Sequence, residues 1–315
     1  MNRLTLAVGG TRALVLPDHG GAAAELTVDG TSVLARTPWA AEVLAGREPA
    51  SDEATWVGRW TGGWQLCFPN AGAPDPDARP AQGFHGVASQ DRWSVGDTGD
   101  AHVDLHWADE AGLSIRRRWV VSENTLAAVT TARNGGEASR PIGIAEHLIL
   151  GGEVLAPVVD ADGMLRIDAS GLLVELDYAG TPTGRRTAWP GEEAWPGGNW
   201  ARVDRRTPAR VAALRHPSPG IVTVTGPRLR ATVSWEGLAH ALLWEEIGAS
   251  TDAPWNGAVH ALGVEPTSTP HGAGTAYPDG AIDLAPGQSM TWTTRLEIGI
   301  TDMGAATPAD EGGRA

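Results

Sequence analysis

SMTWTTRLEI, residues 289 to 298, alternates from end to end: Met290, Trp292, Leu296 and Ile298 fall on one face, Thr291, Thr293, Arg295 and Glu297 on the other. That period of two marks a half-buried strand, because successive side chains of an extended backbone point to opposite sides. Pro286 and Gly287 form its entry turn.

Working outward, runs rich in Thr and Val and bounded by Gly, Pro, Asn or Asp predict further strands over 101–107, 113–121, 141–150, 220–225, 230–235 and 258–264. Ser122 could cap a helix over 123–133, but β-branched Val129, Thr130 and Thr131 oppose it, and a hairpin turning at Glu123 and Asn124 is expected. The 41 glycines and 22 prolines punctuate the whole chain rather than one linker. The reading is an all-β chain with a single domain over 1–300. The closing TDMGAATPADEGGRA, 301–315, is small, polar and acidic, and is expected to be a disordered tail. Two proline-rich stretches are loops: NAGAPDPDARPAQG at 70–83 and TAWPGEEAWPGGNW at 187–200, the second bringing Trp189, Trp195 and Trp200 towards a ligand.

A formal net charge of −14 repels phosphate backbones and anionic lipid, which argues against nucleic acid and membrane as partners. Cys67 is the single cysteine, so no intrachain disulfide and no cysteine-based zinc cluster can form. The opening MNRLTLAVGG is too short in apolar residues for a secretory core, and no stretch approaches a membrane helix. A soluble, cytoplasmic protein is expected. Fourteen Trp stand against two Tyr and two Phe. Indoles combine a flat apolar face with one N–H donor, a combination suited to the C–H faces and hydroxyls of sugars, although core filling is the commoner use of any one Trp.

Four segments carry candidate chemistry: GGWQLCFPNAG at 62–72, GFHGVASQDRW at 83–93, IAEHLILGG at 144–152 and LGVEPTSTPHG at 262–272. His85 projects from a turn, His147 interrupts an apolar strand, and Glu265 ends another, with Pro266 removing the next ladder donor and leaving the carboxylate at a strand mouth. Two imidazoles and a carboxylate suffice for general acid and base work without naming a reaction. They could also form a two-His-one-carboxylate metal site, although their spacing matches no local metal motif. No phosphate loop, nucleophile elbow or dinucleotide fingerprint is present.

In this order, the segments resemble the aldose 1-epimerase family, with HG followed by Trp as its first histidine motif, EH as its second and VEP as its glutamate motif. LAPGQSMTWTTRLEIG is similar to the family's last strand, and the resemblance runs from about Gly62 to Ile300. It implies an antiparallel β-sandwich of the galactose mutarotase type, without metal or cofactor, binding a small-molecule sugar as monomer or homodimer. Glu265 would take the proton from the anomeric hydroxyl while His147 protonates the ring oxygen, and His85 would bind the sugar. An unperturbed Glu is ionised at neutral pH and a histidine can be part-protonated, which suits those roles. The family's hydroxyl-binding Arg and Asp find no match. Asn70 stands near the Arg position, and Trp244, Glu245 and Trp255 are candidates for the opposite wall. The resemblance leaves open a non-catalytic sugar sensor on the same fold, or a hexose-phosphate epimerase, which needs a basic cluster where only Arg92 lies near His85.

Overall fold

In the computed structural model, which describes residues 2–43, 52–191, 198–279 and 281–301, the alternating C-terminal run forms the strand Ser289–Ile300. It lies between Thr125–Asn134 and Leu229–Glu236 in a nine-stranded antiparallel sheet. Trp292, Leu296 and Ile298 are buried, as the pattern predicts. The neighbouring expectations hold within a residue or two: His102–Ala108, Leu113–Ser122, Ile221–Thr225 and Leu229–Glu236 are strands. The hairpin turns at Glu123 and Asn124, with Asn124 at a φ of 56°.

An eleven-stranded antiparallel sheet forms the second layer among the described residues. At its centre, Trp64–Cys67, Ala145–Leu150 (the histidine strand), His260–Thr267 (the glutamate strand), His240–Ile247 and Arg210–Arg215 lie side by side. One face of this sheet, bearing Leu148, Val264 and Leu243, meets Leu126, Val233 and Leu296 of the other sheet in the main hydrophobic core. Its opposite face is also covered at the centre, where Ile149 and Ala261 pack beneath Trp56 and Trp60. Burial on both faces explains why the two central strands read as nearly unbroken apolar runs instead of alternating.

Two strand expectations need correction. The run 141–150 is broken: Arg140–Ile142 pairs with Ile282–Leu284 in a separate two-stranded sheet, and Ala145–Leu150 joins the large one. The chain changes sheets at Gly143 and Ile144, whose amides donate to the Pro69 carbonyl and the Ser268 hydroxyl. The second correction concerns Pro266, which does not end the glutamate strand. Pairing with the histidine strand is present at Ala145 with Thr267 and at Ile149 with Gly263, and is interrupted between them. Lacking an N–H, Pro266 opens the ladder locally while the strand runs on, held by continuous pairing to His240–Ile247 on its other side.

Between the layers lies a buried ion pair. Glu146, next to His147 but on the reverse face of the histidine strand, accepts from Arg117 Nη1 and Nη2 at 2.8 and 2.7 Å. Trp64 Nε1 and Trp292 Nε1 donate to the same carboxylate at 2.7 and 2.6 Å, and the guanidinium lies 4.2 Å from the Trp119 ring centroid. A buried carboxylate is tolerated when paired and fully hydrogen-bonded. Among the described residues no helix is long and apolar enough to cross a membrane. Residues 302–315 of the expected tail lie outside the described residues.

Candidate active site

The register across the large sheet puts the chemistry in one row. His147 pairs with Gln65 on one side. The register shared by Ala145 with Thr267 and Ile149 with Gly263 sets it opposite Glu265 on the other, and Glu265 in turn pairs with Leu242. Cross-strand neighbours point to the same face, here the one away from the main core. Both residues line a cleft together with His85, Trp244 and Trp255, which the sequence also singles out.

Backbone geometry prepares each group. A side chain on Gly263 would place its Cβ 2.5 Å from Glu265 Oε1, so the absence of one leaves room for the carboxyl. His85 sits at a φ of 57°. Its amide donates to the Gly72 carbonyl at 2.9 Å, and its Nδ1 accepts from the Gly72 amide at 3.0 Å. A neutral ring accepting at Nδ1 carries its hydrogen at Nε2. A Cβ on Gly72 would lie 1.6 Å from the Gly272 carbonyl oxygen, so this close crossing of two loops at the cleft requires glycine.

His147 is surrounded by rings: Trp56 at 5.4 Å, Trp60 at 5.7 Å, His85 at 5.3 Å and Trp244 at 6.4 Å between centroids. Trp255 closes the wall at 5.9 Å from Trp244. Glu265 is 5 % exposed and makes no hydrogen bond to the described protein. Burial lifts its carboxyl to about 8. Burial likewise holds the His147 imidazole down at about 3, and burial with the neighbouring His147 keeps His85 well below the usual histidine range. The charged form of each group has lost its water, which is the direction expected of desolvation. The expectation of an ionised Glu265 beside a part-protonated His147 is therefore reversed: at neutral pH the pair carries one proton, and it rests on Glu265.

Two expected substrate contacts are placed elsewhere. Asn70 is fully buried, its Nδ2 lying 2.7 to 3.3 Å from the carbonyls of Gly72, Ala73 and Gly83 and its Oδ1 accepting from the Thr275 amide at 2.8 Å. It fastens the 70–83 loop and has no group left for a sugar. Glu245 lies on the reverse face of its strand from Trp244, 2.7 Å from Arg210. In the 187–200 loop, Trp200 is buried under the Arg210 guanidinium and Trp189 packs on the main core, so neither lines the cleft; Trp195 lies outside the described residues.

Trp56, Trp60, Glu53 and Tyr178 line the cleft without having been singled out in sequence. The first three lie on or just beyond the helix Glu53–Arg59, capped by Asp52, whose Oδ1 accepts from the Thr55 amide at 2.9 Å. Its signal was an Asp cap followed by an acidic first turn, with tryptophans at i and i+4 on one face. Among the described residues no group of His, Cys, Asp or Glu is arranged to hold a metal ion.

No family model matches the chain, and no curated relative matches its sequence. Solved structures do. A Synechocystis protein matches with a TM-score of 0.71 at 16% identity, covering 95% of this chain and 96% of its own. A galactose mutarotase-like protein from Lactobacillus casei matches at 0.66 and 15% identity, over 95% of this chain and all 100% of that one. The fold is that of the galactose mutarotase-like proteins. A galactose 1-epimerase from Lactobacillus acidophilus shares this mutarotase-like fold, with a TM-score of 0.64, 14% identity and coverage of 95% and 94%. The likeness extends to the antiparallel two-sheet architecture expected from the sequence.

Proposed function

We propose that the protein is an aldose 1-epimerase, an isomerase that interconverts the α and β anomers of a free aldose. One observation carries this reading: a carboxyl raised by burial and an imidazole lowered by it stand opposite each other across an opened ladder in an aromatic-walled cleft, and the carboxyl has no hydrogen-bond partner among the described residues. Ring opening needs a proton removed from one oxygen and delivered to another on the same anomeric carbon, and two groups holding one proton between them are suited to that.

Glu265 acts as base and His147 as acid. A bound sugar supplies hydrogen bonds that replace the water lost by the carboxyl, which favours the tautomer with the proton on His147. Glu265 then takes the anomeric hydroxyl proton, the bond from C1 to the ring oxygen breaks as the C1 carbonyl forms, and His147 protonates the departing oxygen. Rotation about the C1–C2 bond and reclosure by the reverse transfers give the other anomer. His85 donates from Nε2 to a sugar oxygen. Among the described residues lining the cleft there is no Lys or Arg, which speaks against a phosphorylated sugar.

Polarimetry from a pure anomer tests the reading. Glu265→Gln keeps shape and hydrogen bonding but removes the base, and should slow catalysed anomerisation by about 10²- to 10⁴-fold while binding largely survives. Binding without any acceleration by the unmodified protein, or full turnover by the variant, would replace the epimerase by a sugar-binding module.

A further inference from the structure

We infer that the aldose lacks an oxygen at C6, that is, that the site takes a 6-deoxyhexose or a pentopyranose. The inference rests on the roles proposed above, with Glu265 at the anomeric oxygen and His147 at the ring oxygen. C5 is bonded to that ring oxygen on the side away from the anomeric carbon. Its substituent therefore lies beside His147, beyond the reach of a carboxyl engaged at the anomeric oxygen.

The surroundings of His147 are poor in hydrogen-bonding groups. Trp56 and Trp60 present their rings at 5.4 and 5.7 Å from the imidazole, and Trp244 is stacked at 6.4 Å. The Trp56 Nε1 already donates to the Ser89 hydroxyl at 2.9 Å. The Trp60 Nε1 is enclosed without a partner among the described residues, that of Trp244 is engaged by Tyr178, and His85 has its Nδ1 taken by the Gly72 amide, which leaves it one donor. Across the whole lining, the described side chains with polar atoms other than indoles are Glu53, His85, His147, Tyr178 and Glu265; Ser, Thr, Asn, Gln, Lys and Arg are absent from it. A hydroxymethyl oxygen placed among these rings loses water and finds only the His85 donor, already assigned to another sugar oxygen, whereas a methyl group or a hydrogen packs against indole without that loss. A site that leaves one hydroxyl unpaired discriminates by about 10- to 100-fold.

The test compares sugars of one configuration that differ only at C6: D-fucose with D-galactose, L-rhamnose with L-mannose, and D-xylose with D-glucose. Calorimetry of the full chain reads binding, and polarimetry reads turnover separately. The expected result is that, in every pair the protein binds, the member lacking the C6 oxygen binds about 10- to 100-fold more tightly. Equal or reversed preference, or binding of none of them, overturns the inference. Preferential binding without turnover sustains it while removing the epimerase reading; equal binding with rapid turnover does the opposite. Trp60→Gln, which sets an amide in the wall, should narrow the preference, and an unchanged ratio in the folded variant would overturn the assignment of selectivity to this wall.

Discussion

His147 and Glu265 face each other across neighbouring antiparallel strands at the place where the ladder between those strands is interrupted. Burial moves their titrations in opposite directions, raising the carboxyl to about 8 and lowering the imidazole to about 3.

The first prediction is a pH profile. The competent pair carries one proton, so kcat/KM should hold through neutral pH and fall as pH rises through about 8, where that proton is lost. On the acid side the pair gains a second proton only near pH 3, far below an ordinary histidine. Polarimetric rates across pH, corrected for the spontaneous reaction, check this. A plateau that begins only above pH 6.5, as for an unperturbed imidazole, would contradict it.

Stability should show the same burial. A carboxyl raised to about 8 in the folded chain binds protons that the unfolded chain has released, so its contribution is present at low pH and is lost as pH rises from the usual carboxylate range through about 8. Glu265→Gln removes that dependence. The variant should gain on the order of a few kcal/mol over the parent at pH 9, with much less gain at pH 5. Thermal midpoints at the two values measure it; a pH-independent difference would mean that the carboxyl does not titrate there.

Glu146→Gln should behave in the opposite way. It leaves the Arg117 guanidinium buried against Trp119 without its counter-charge, and breaking one half of a buried pair costs about 3–5 kcal/mol. Trp292→Ala should lose a similar amount as a core truncation, about 3–5 kcal/mol, and it also removes the indole donor to Glu146. Chemical denaturation reads both. Neither residue lines the cleft, so activity per folded molecule should change little.

Trp255 and Trp200 separate binding from packing. Trp255 is partly exposed in the cleft wall, whereas Trp200 is buried beneath Arg210. Trp255→Ala should weaken sugar binding by about 10-fold with a small effect on folding, and Trp200→Ala should mainly lower stability, by about 3–5 kcal/mol. Saturable quenching of intrinsic fluorescence by sugar, diminished in the first variant and retained in the second, is the expected pattern.

Much of the architecture was legible because alternation survives wherever one sheet face meets the core, as at Trp292, Leu296 and Ile298. Legibility failed where local chemistry was overridden from outside the segment. Pro266 reads as a strand end, yet pairing on its other side carries the strand onward. Asn70 stands near the expected Arg position, yet four backbone groups occupy its amide, those of Gly83 and Thr275 reaching it from outside its own turn. The helix bearing Trp56 is seven residues long, so its period hardly repeats. The protonation of the pair was hidden for the same reason: His147 and Glu265 have ordinary titrations in sequence, and their shifts arise only once the cleft encloses them.

Glu146 and His147 are adjacent on one strand and face opposite ways, the first into the ion pair between the layers and the second into the cleft. A slip of one residue would exchange them, driving an imidazole against Arg117 and stranding the guanidinium. The charged lock behind the sheet therefore acts as a ruler for the chemistry in front of it. Insertions or deletions anywhere in Ala145–Leu150 should be rejected at folding, before catalysis is ever put to the test.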